Sequence, residues 1–291
     1  MSASDKIRFM IAQLASTTHL SVSMVLYHSP IELLRATIDS LFQSALRALQ
    51  ENHLVSVDLM LVDNSECDEY AASVRALLQT LHSDSFFSLH FSQAEQNTGF
   101  GGGHNSVISR LASNYHLILN PDAELAEDAL CAGLAALDSD GQLALVSPRV
   151  LGPDGKQEFL CKAYPSVLVL LLRAFAPTFI RRWFRSKLHS YELREVCEDA
   201  EPAEVLLASG CFMLLRTGSL QLVKGFNDKY FLYFEDFDLS LRLREYGQLV
   251  FLPSMVITHH GGYAATKGGS HIRLFIRSGL RFFNDHGWKW I

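Results

Sequence analysis

Three carboxylates in four residues, Glu235-Asp236-Phe237-Asp238, follow an aromatic run, Tyr230-Phe231-Leu232-Tyr233-Phe234, and lead into an amphipathic helical pattern, Leu239–Tyr246. Acids beside so much apolar surface are costly unless they are hydrogen-bonded or put to use. Burial there raises a carboxyl pKa toward the range of a general base, so proton abstraction is the first chemistry on offer. Charge complementarity with a helix N-terminus accounts for one or two of the three without any chemistry.

A second group suits a hard cation. Asn120-Pro121-Asp122 presents an amide oxygen and a carboxylate in a turn that Pro121 stiffens. Oxygen ligands of this kind fit Mg²⁺ or Mn²⁺, which bind few protein groups and fill their shell with waters and substrate phosphates. Asp122 equally suits a cap ahead of an expected helix, Leu125–Leu137. In His259-His260-Gly261-Gly262 one imidazole is a candidate metal ligand, although a loop histidine is also at home in solvent.

The third group is the run Asn97-Thr98-Gly99-Phe100-Gly101-Gly102-Gly103-His104, with Asn105 behind it. Each glycine costs a regular element up to about 1 kcal/mol relative to alanine, so the backbone there needs clearance. A ligand approaching the main chain is one reason, and a turn closing onto a helix 104–112 is another. The run has neither the G-x-x-x-x-G-K-[ST] ending nor the G-x-G-x-x-G spacing of the named phosphate-binding loops.

These groups fall at the ends of alternating elements. Strands are expected at Leu20–Tyr27, Ser56–Val62, Phe87–Ser92, Tyr115–Leu119 and Leu143–Val150, and helices at Ile31–Leu49, Tyr70–Leu81 and His104–Ser113. That order gives an α/β fold with a mostly parallel sheet flanked by helices, whose ligands bind beyond the carboxyl ends of the strands. Asp63-Asn64-Ser65, the glycine run and Asn120-Pro121-Asp122 then share one rim. Further on come a Gly-Pro-Asp-Gly turn at 152–155, an apolar run Leu206–Leu215 broken by Ser209-Gly210, a short apolar stretch Val250–Leu252, and a terminal helix His271–Asp285.

At 291 residues, 48% hydrophobic and 19% charged, the chain suits one large α/β domain. The first twenty residues lack the pattern of a secretory signal and no stretch has the length of a membrane span, so a cytoplasmic protein is expected. Five scattered cysteines without C-x-x-C read as reduced thiols. The net charge of −6 divides into −10 for residues 1–150 and +4 for the remainder, which argues against nucleic acid as the main partner and leaves an anionic membrane surface open. Residues 162–194 hold 7 Lys/Arg against one acid around an apolar stretch, Val167–Leu172, and the terminal helix interleaves Ile272, Phe275, Ile276 and Phe283 with Arg273, Arg277 and Arg281. Both patterns suit surface-lying amphipathic helices of a peripheral membrane protein, or core packing or a homodimer contact.

Taken in order, Asn97–Asn105, Leu119–Asp122, Ala208-Ser209-Gly210-Cys211-Phe212-Met213, Gly225-Phe226-Asn227 through Arg242, and His259–Gly262 resemble successive motifs of glycosyltransferase family 2, most of all its bacterial rhamnosyltransferases of surface polysaccharides and glycolipids. The resemblance runs from about Leu20 to about Gly262. It implies a GT-A fold, a nucleotide-sugar donor such as dTDP-rhamnose, a divalent cation (Mg²⁺ or Mn²⁺) and inversion at the anomeric carbon. It further implies one GT-A domain over 1–270, with a donor half at about 20–150 and an acceptor half at 151–270, followed by a basic amphipathic helix at 271–291. By position, Asp63, Asn97, Gly99, Phe100, Gly101, Gly102, Asn105, Asn120 and Asp122 are expected to bind the nucleotide sugar. Asp122 and His259 are expected to hold the metal, with Asn120 replacing the first acid of the family's D-x-D motif. Asp236 is the expected base, supported by Asp238 and Glu235. The expected acceptor is lipopolysaccharide, O-antigen or a lipid-linked oligosaccharide at the cytoplasmic face of the inner membrane. A sugar nucleotidyltransferase is a poorer match, since Leu20–Pro30 has no glycine or lysine to hold a triphosphate, and a non-catalytic sugar-binding module leaves the acid triplet without a use.

Overall fold

Strand β1, His19–Leu26, is buried along nearly its whole length because parallel neighbours flank it on both edges. Its even-numbered side chains, Leu20, Val22, Met24 and Leu26, enter the main core, and Ser21 and Ser23 face the other side of the sheet. The computed structural model describes residues 17–81, 84–261 and 269–291. Gly262 and Tyr263–Thr266, which end the last motif, lie outside them.

In chain order β1 is followed by α1 (Ile31–Gln50), β2 (Ser56–Asp63), α2 (Asp68–Thr80), β3 (Phe87–Gln93), α3 (Gly99–Ile108), β4 (Tyr115–Leu119), β5 (Ala123–Leu125), α4 (Ala129–Ser139), β6 (Leu143–Leu151) and β7 (Gln157–Glu158). Then come α5 (Val167–Phe175), α6 (Thr178–Trp183), α7 (Arg185–Tyr191), α8 (Arg194–Glu198), β8 (Ala203–Glu204), β9 (Phe212–Arg216), α9 (Thr217–Leu222), α10 (Glu235–Leu243), β10 (Gln248–His259) and α11 (Gly269–His286). One sheet runs β3-β2-β1-β4-β9-β6-β10-β5, with β7 on β6 and β8 on β10. Pairings among β1–β4 are parallel, and β9 enters antiparallel between β4 and β6. Helix α1 turns Leu34, Ile38, Leu41, Ala45 and Ala48 onto one face of the sheet, where α4 adds Leu130, Leu134 and Leu137. The other face carries Ile108, Met213, Leu215, Leu239 and Leu243 from α3, β9 and α10.

The glycine run is not a loop ahead of a helix at His104: it is the first two turns of α3. Packing outweighs helix propensity here. A Cβ on Gly103 would lie 2.6 Å from Val25 and one on Gly101 2.8 Å from Phe226, so only glycine lets the helix come this close to β1 and to the 225–228 loop. Gly99 has φ +77°, and a Cβ there would meet the Phe231 carbonyl. Beneath α3, His104 Nδ1 bonds Ser23 Oγ at 2.6 Å, which bonds His116 Nε2 at 2.8 Å, whose Nδ1 bonds Ser21 Oγ at 2.7 Å. Burial drives both histidines down to about 3, so this chain of neutral rings pins helix to sheet.

Two other expectations shift. The segment after Asp122 is first a strand, β5, antiparallel to β10, and its helix begins only at Ala129, so Asp122 caps no helix. Helix α10 begins at Glu235, not Leu239, which puts all three acids in its first turn.

Gly103→Ala is expected to lower the unfolding free energy by roughly 1–3 kcal/mol through overpacking. Gly141→Ala, with nothing within 4 Å of the added carbon, is expected to change it by less than about 0.5 kcal/mol. Urea denaturation of the two variants side by side checks this, and equal stabilities would contradict the seat given to α3.

Candidate active site at the sheet rim

Strand β2 ends in Asp63, fully buried, with Asn64 and Ser65 directly behind it. Asp63 Oδ1 accepts the Ser65 amide at 2.8 Å, and Asn64 Nδ2 donates to the Gly99 carbonyl at 2.8 Å, which ties the β2 rim to the start of α3. Asp63 Oδ2, Asn64 Oδ1 and Ser65 Oγ are buried without hydrogen-bond partners. Buried polar atoms are rarely left so, and three together mark a place built for a polar ligand.

The β4 rim carries Asn120, Pro121 and Asp122. The antiparallel β5–β10 pairing puts His259 opposite Ala123, and its Nε2 lies 3.5 Å from Asp122 Oδ1. That carboxylate oxygen is buried and accepts no hydrogen bond. The ring's other nitrogen lies 3.3 Å from Glu158 on β7. Burial works against the charged imidazole, but Asp122 and Glu158 outweigh it and raise the His259 pKa. His260 points elsewhere, with Nε2 2.6 Å from Glu124. Among the described residues no group of three or more His, Cys, Asp or Glu converges on one metal position. An orphaned carboxylate oxygen beside an imidazole nitrogen nevertheless fits a divalent cation that takes the rest of its shell from water and phosphate.

Asp236 closes the site from the other direction. Its Oδ2 accepts the Gly210 amide at 3.0 Å and its Oδ1 the Phe237 amide at 2.9 Å. The next residue, Cys211, accepts the Asn120 amide on its carbonyl at 2.9 Å, so the segment Ser209–Cys211 links the base candidate to the β4 rim. Phe100 fills the gap: a Cβ on Gly210 would touch its ring at 2.9 Å and Asp236 at 3.5 Å. Glu235 and Asp236 line a pocket of about 590 Å³ together with Lys162, Arg173, Tyr191 and Ser209. Asp236 keeps some solvent contact through the pocket mouth, while protein packs around its carboxyl. Burial raises the pKa of both acids, Glu235 to about 8, with Asp236 adding its charge to the effect on Glu235.

Two aromatic residues in left-handed conformation, Tyr233 (φ +70°) and Phe234 (φ +66°), turn the chain into α10. Such conformations cost roughly 1–3 kcal/mol each, and the Phe234 ring is held by Phe237, Phe275 and Phe282.

Not every expected residue reaches the site. Asn105 is occupied: its amide donates to Phe226 O and Asp228 Oδ1 and accepts the Phe226 amide, all within 2.8 Å. Asn97 accepts the Gly99 amide at 2.9 Å and shapes the entry to α3. Gly101 and Gly102 sit in the first turn of α3, where Gly101 packs against Phe226 and Gly102 against Thr98. Asp238, 2% exposed, is bound by Arg242 at 2.8 Å and by His286 of α11 at 2.9 Å, which makes it a positioning group for α10. The sequence reading set Asn64 and Ser65 on the rim without giving them a role, and gave Lys162, Arg173, Tyr191 and Glu158 no place in the site. Asn64 and Ser65 adjoin a noted acid, but nothing in the order of residues brings the other four here.

No protein-family model matches the chain. It is 26% identical over 207 residues to the N-acetylglucosaminyl-diphospho-decaprenol L-rhamnosyltransferase of Mycobacterium tuberculosis strains CDC 1551 / Oshkosh and ATCC 25618 / H37Rv, which covers 67% of this chain and 66% of each relative. The chain thus spans just under two thirds of those relatives. Among solved structures it resembles GalNAc-T7 with UDP, GalNAc and Mn²⁺ (TM-score 0.56, 13% identity, 84% of this chain and 43% of that one). It also resembles the mannosyltransferase PcManGT of Pyrobaculum calidifontis with GDP-Man and Mn²⁺ (0.57, 16%, 89% and 60%) and S. aureus TarS 1-349 (0.53, 14%, 92% and 72%). The chain shares the fold of these glycosyltransferase structures, a GT-A fold. The mostly parallel sheet expected of a GT-A fold is the one observed, and in this GT-A chain the rim residues and the acid helix meet across the Ser209–Cys211 segment.

The pH dependence of stability follows from Glu235. Its folded pKa lies above its unfolded value, so its contribution is present below about 4.5 and lost as pH rises through about 8. Glu235→Gln does not titrate, and its stability relative to wild type is expected to rise across that window in chemical denaturation. A constant difference would contradict the burial of this carboxyl.

Proposed function

We propose that this GT-A protein is an inverting, divalent-metal-dependent glycosyltransferase that moves L-rhamnose from dTDP-L-rhamnose onto a hydroxyl of a lipid-linked glycan at a membrane surface. The observation that carries the reading is Asp236, a carboxylate fixed by two backbone amides in the wall of a pocket and joined through Ser209–Cys211 to the Asn120–Asp122 rim. Relatives named as L-rhamnosyltransferases favour the donor, and neighbours crystallised with Mn²⁺ favour the cation.

In this reading Asp63, Asn64 and Ser65 receive the base and ribose of the nucleotide, whose donors satisfy the three orphaned oxygens. Asp122 and His259 hold the cation, which when bound offsets the negative charge that grows on the leaving diphosphate. Asp236 takes the proton of the acceptor hydroxyl, whose oxygen attacks the anomeric carbon on the face opposite the leaving group, and a single displacement inverts configuration. The raised pKa makes Asp236 a stronger base than an exposed carboxylate. Glu235 and Asp238 act behind it, Asp238 by locking α10 to α11.

The membrane part rests on exposed apolar groups among basic ones. Leu171, Phe175, Phe179 and Trp183 (82% exposed) lie with Arg181, Arg182, Arg185 and Lys187 on α5–α7. On α11, Ile272, Ile276 and Leu280 are about half exposed and alternate with Arg273, Arg277 and Arg281. The two elements are clamped together, the Val167 amide donating to Lys289 O at 2.8 Å and Tyr164 Oη to Gly287 O at 2.6 Å. Both line the mouth of the Asp236 pocket. Among the described residues no helix is long and apolar enough to cross a membrane, so contact through this face is peripheral.

Asp236→Asn is expected to reduce transfer by about 10²–10⁴-fold, the usual worth of a general base, with dTDP binding nearly intact by calorimetry. Wild-type turnover by that variant would falsify the base assignment. Sedimentation with anionic vesicles at low salt is expected to pellet the wild type, and Arg273→Glu with Arg277→Glu to leave it in solution; a wild type that ignores such vesicles removes the membrane part.

A further inference from the structure

The Gly-Pro-Asp-Gly turn at 152–155 closes a hairpin whose second arm, β7, is two residues long. Gly155 takes φ +75°, Asp154 Oδ1 accepts the Lys156 amide at 3.1 Å, and the Gly152 amide donates to Lys156 O at 2.7 Å. This tight reversal lays β7 on β6 with Glu158 opposite Val150, and Gln157 Nε2 anchors it by donating to Cys197 O at 2.6 Å. On the other edge of β6, Val150 pairs with Ile257 of β10. Residues level across a sheet share a face, as do residues two apart on one strand, so Glu158 and His259 come to the same side.

There the His259 ring is flanked by two carboxylates, with Nε2 3.5 Å from Asp122 Oδ1 and Nδ1 3.3 Å from Glu158 Oε2. Among the described residues His259 is the one basic group within ion-pair distance of Glu158. The ring has little room to turn. A Cβ on Gly261 would lie 2.4 Å from its Cε1 and within 3.0 Å of both nitrogens, and the His260 amide ties the adjoining backbone to Asp122 O at 2.8 Å. Glu158 meets the nitrogen turned away from Asp122, so it does not converge with Asp122 on one metal position. An imidazole binds a cation through a nitrogen lone pair, which requires the ring proton to sit on the other nitrogen. A carboxylate at that second nitrogen fixes the tautomer and makes the ring a better ligand.

We propose that Glu158 is a positioning residue for the cation site: it accepts a hydrogen bond from His259 Nδ1–H and so keeps the Nε2 lone pair free for the cation beside Asp122. The hairpin then serves to carry this one carboxylate to the rim. The inference rests on the reading of Asp122 and His259 as the cation's ligands.

The test is a Mn²⁺ titration of the full chain with dTDP present, read by the paramagnetic resonance of the free ion. Glu158→Leu is expected to weaken Mn²⁺ binding by about 10–100-fold, and Glu158→Gln, which keeps an acceptor oxygen but not the charge, by less. Metal-free dTDP binding and the melting temperature are expected to stay at wild-type values, since the Glu158 side chain is 36% exposed. Equal Mn²⁺ affinity in wild type and Glu158→Leu overturns the proposal. So does a parallel loss of metal-free dTDP binding, which marks general damage to the rim. Nitrogen-15 spectra of the metal-free protein, at a pH where the ring is neutral, read the tautomer directly, with His259→Asn identifying the signal. The proton is expected on Nδ1 in wild type and shared between the two nitrogens in Glu158→Leu, and a wild-type proton on Nε2 overturns the proposal as well. A wild type that takes up no Mn²⁺ sinks the metal reading, whereas these spectra still decide what Glu158 does to the ring.

Discussion

One hydrogen bond, from the Gly210 amide to the Asp236 carboxylate, joins the segment before β9 to the acid helix, and the Ala208 amide supports it by donating to Ser240 Oγ at 3.1 Å one turn further along that helix. On its left, Cys211 accepts the Asn120 amide and Phe212 starts β9, the antiparallel strand between β4 and β6. On its right, α10 begins. The distance between the metal-ligand candidates and the proposed base is therefore set by sheet geometry and not by loops. For an in-line displacement that matters, because small misplacements of the reacting groups cost large factors in rate.

The site is held against several local preferences. Phe231 accepts the Phe100 amide on the α3 side, and Leu232 accepts the Ser278 hydroxyl on the α11 side. Between these anchors Tyr233 and Phe234 adopt conformations that bulky residues avoid, and the aromatic cluster with Phe275 and Phe282 overdetermines them. Glu235 is buried with Oε2 unpartnered, and three rim oxygens have no donor. Unsatisfied polar groups are costly anywhere in a fold. Their concentration along one rim and one pocket is what a site shaped for a ligand looks like before the ligand is counted.

Much of this was legible from residue order. Period-two and helical patterns located β1–β4, β6 and the long helices, since burial on a sheet face or a helix stripe leaves a local signature, whereas β5, β7, β8 and the short helices α6–α9 left none. The acid triplet, the Asn-Pro-Asp turn and the histidine doublet were visible because charged or rigid residues at strand ends are conspicuous. The glycine run was conspicuous too, yet its form was not: glycine propensity argues for a loop, and only close approach to Val25 and Phe226 makes it a helix. Asn105 was placed in the donor site by the resemblance alone, and its partners lie 121 and more positions away.

The sequence by itself determined an α/β alternation, a rim of polar groups after the strands, and an acid cluster beside an aromatic run, because each depends on neighbours within a few residues. Tertiary structure decided which histidine meets Asp122, since β5–β10 register turns His259 to it and His260 to Glu124. It also decided that Asp238 locks α10 to α11 and that Lys162 and Arg173 stand beside Asp236. Those assignments depend on contacts between distant segments, and charge balance at a point in space cannot be summed along a chain.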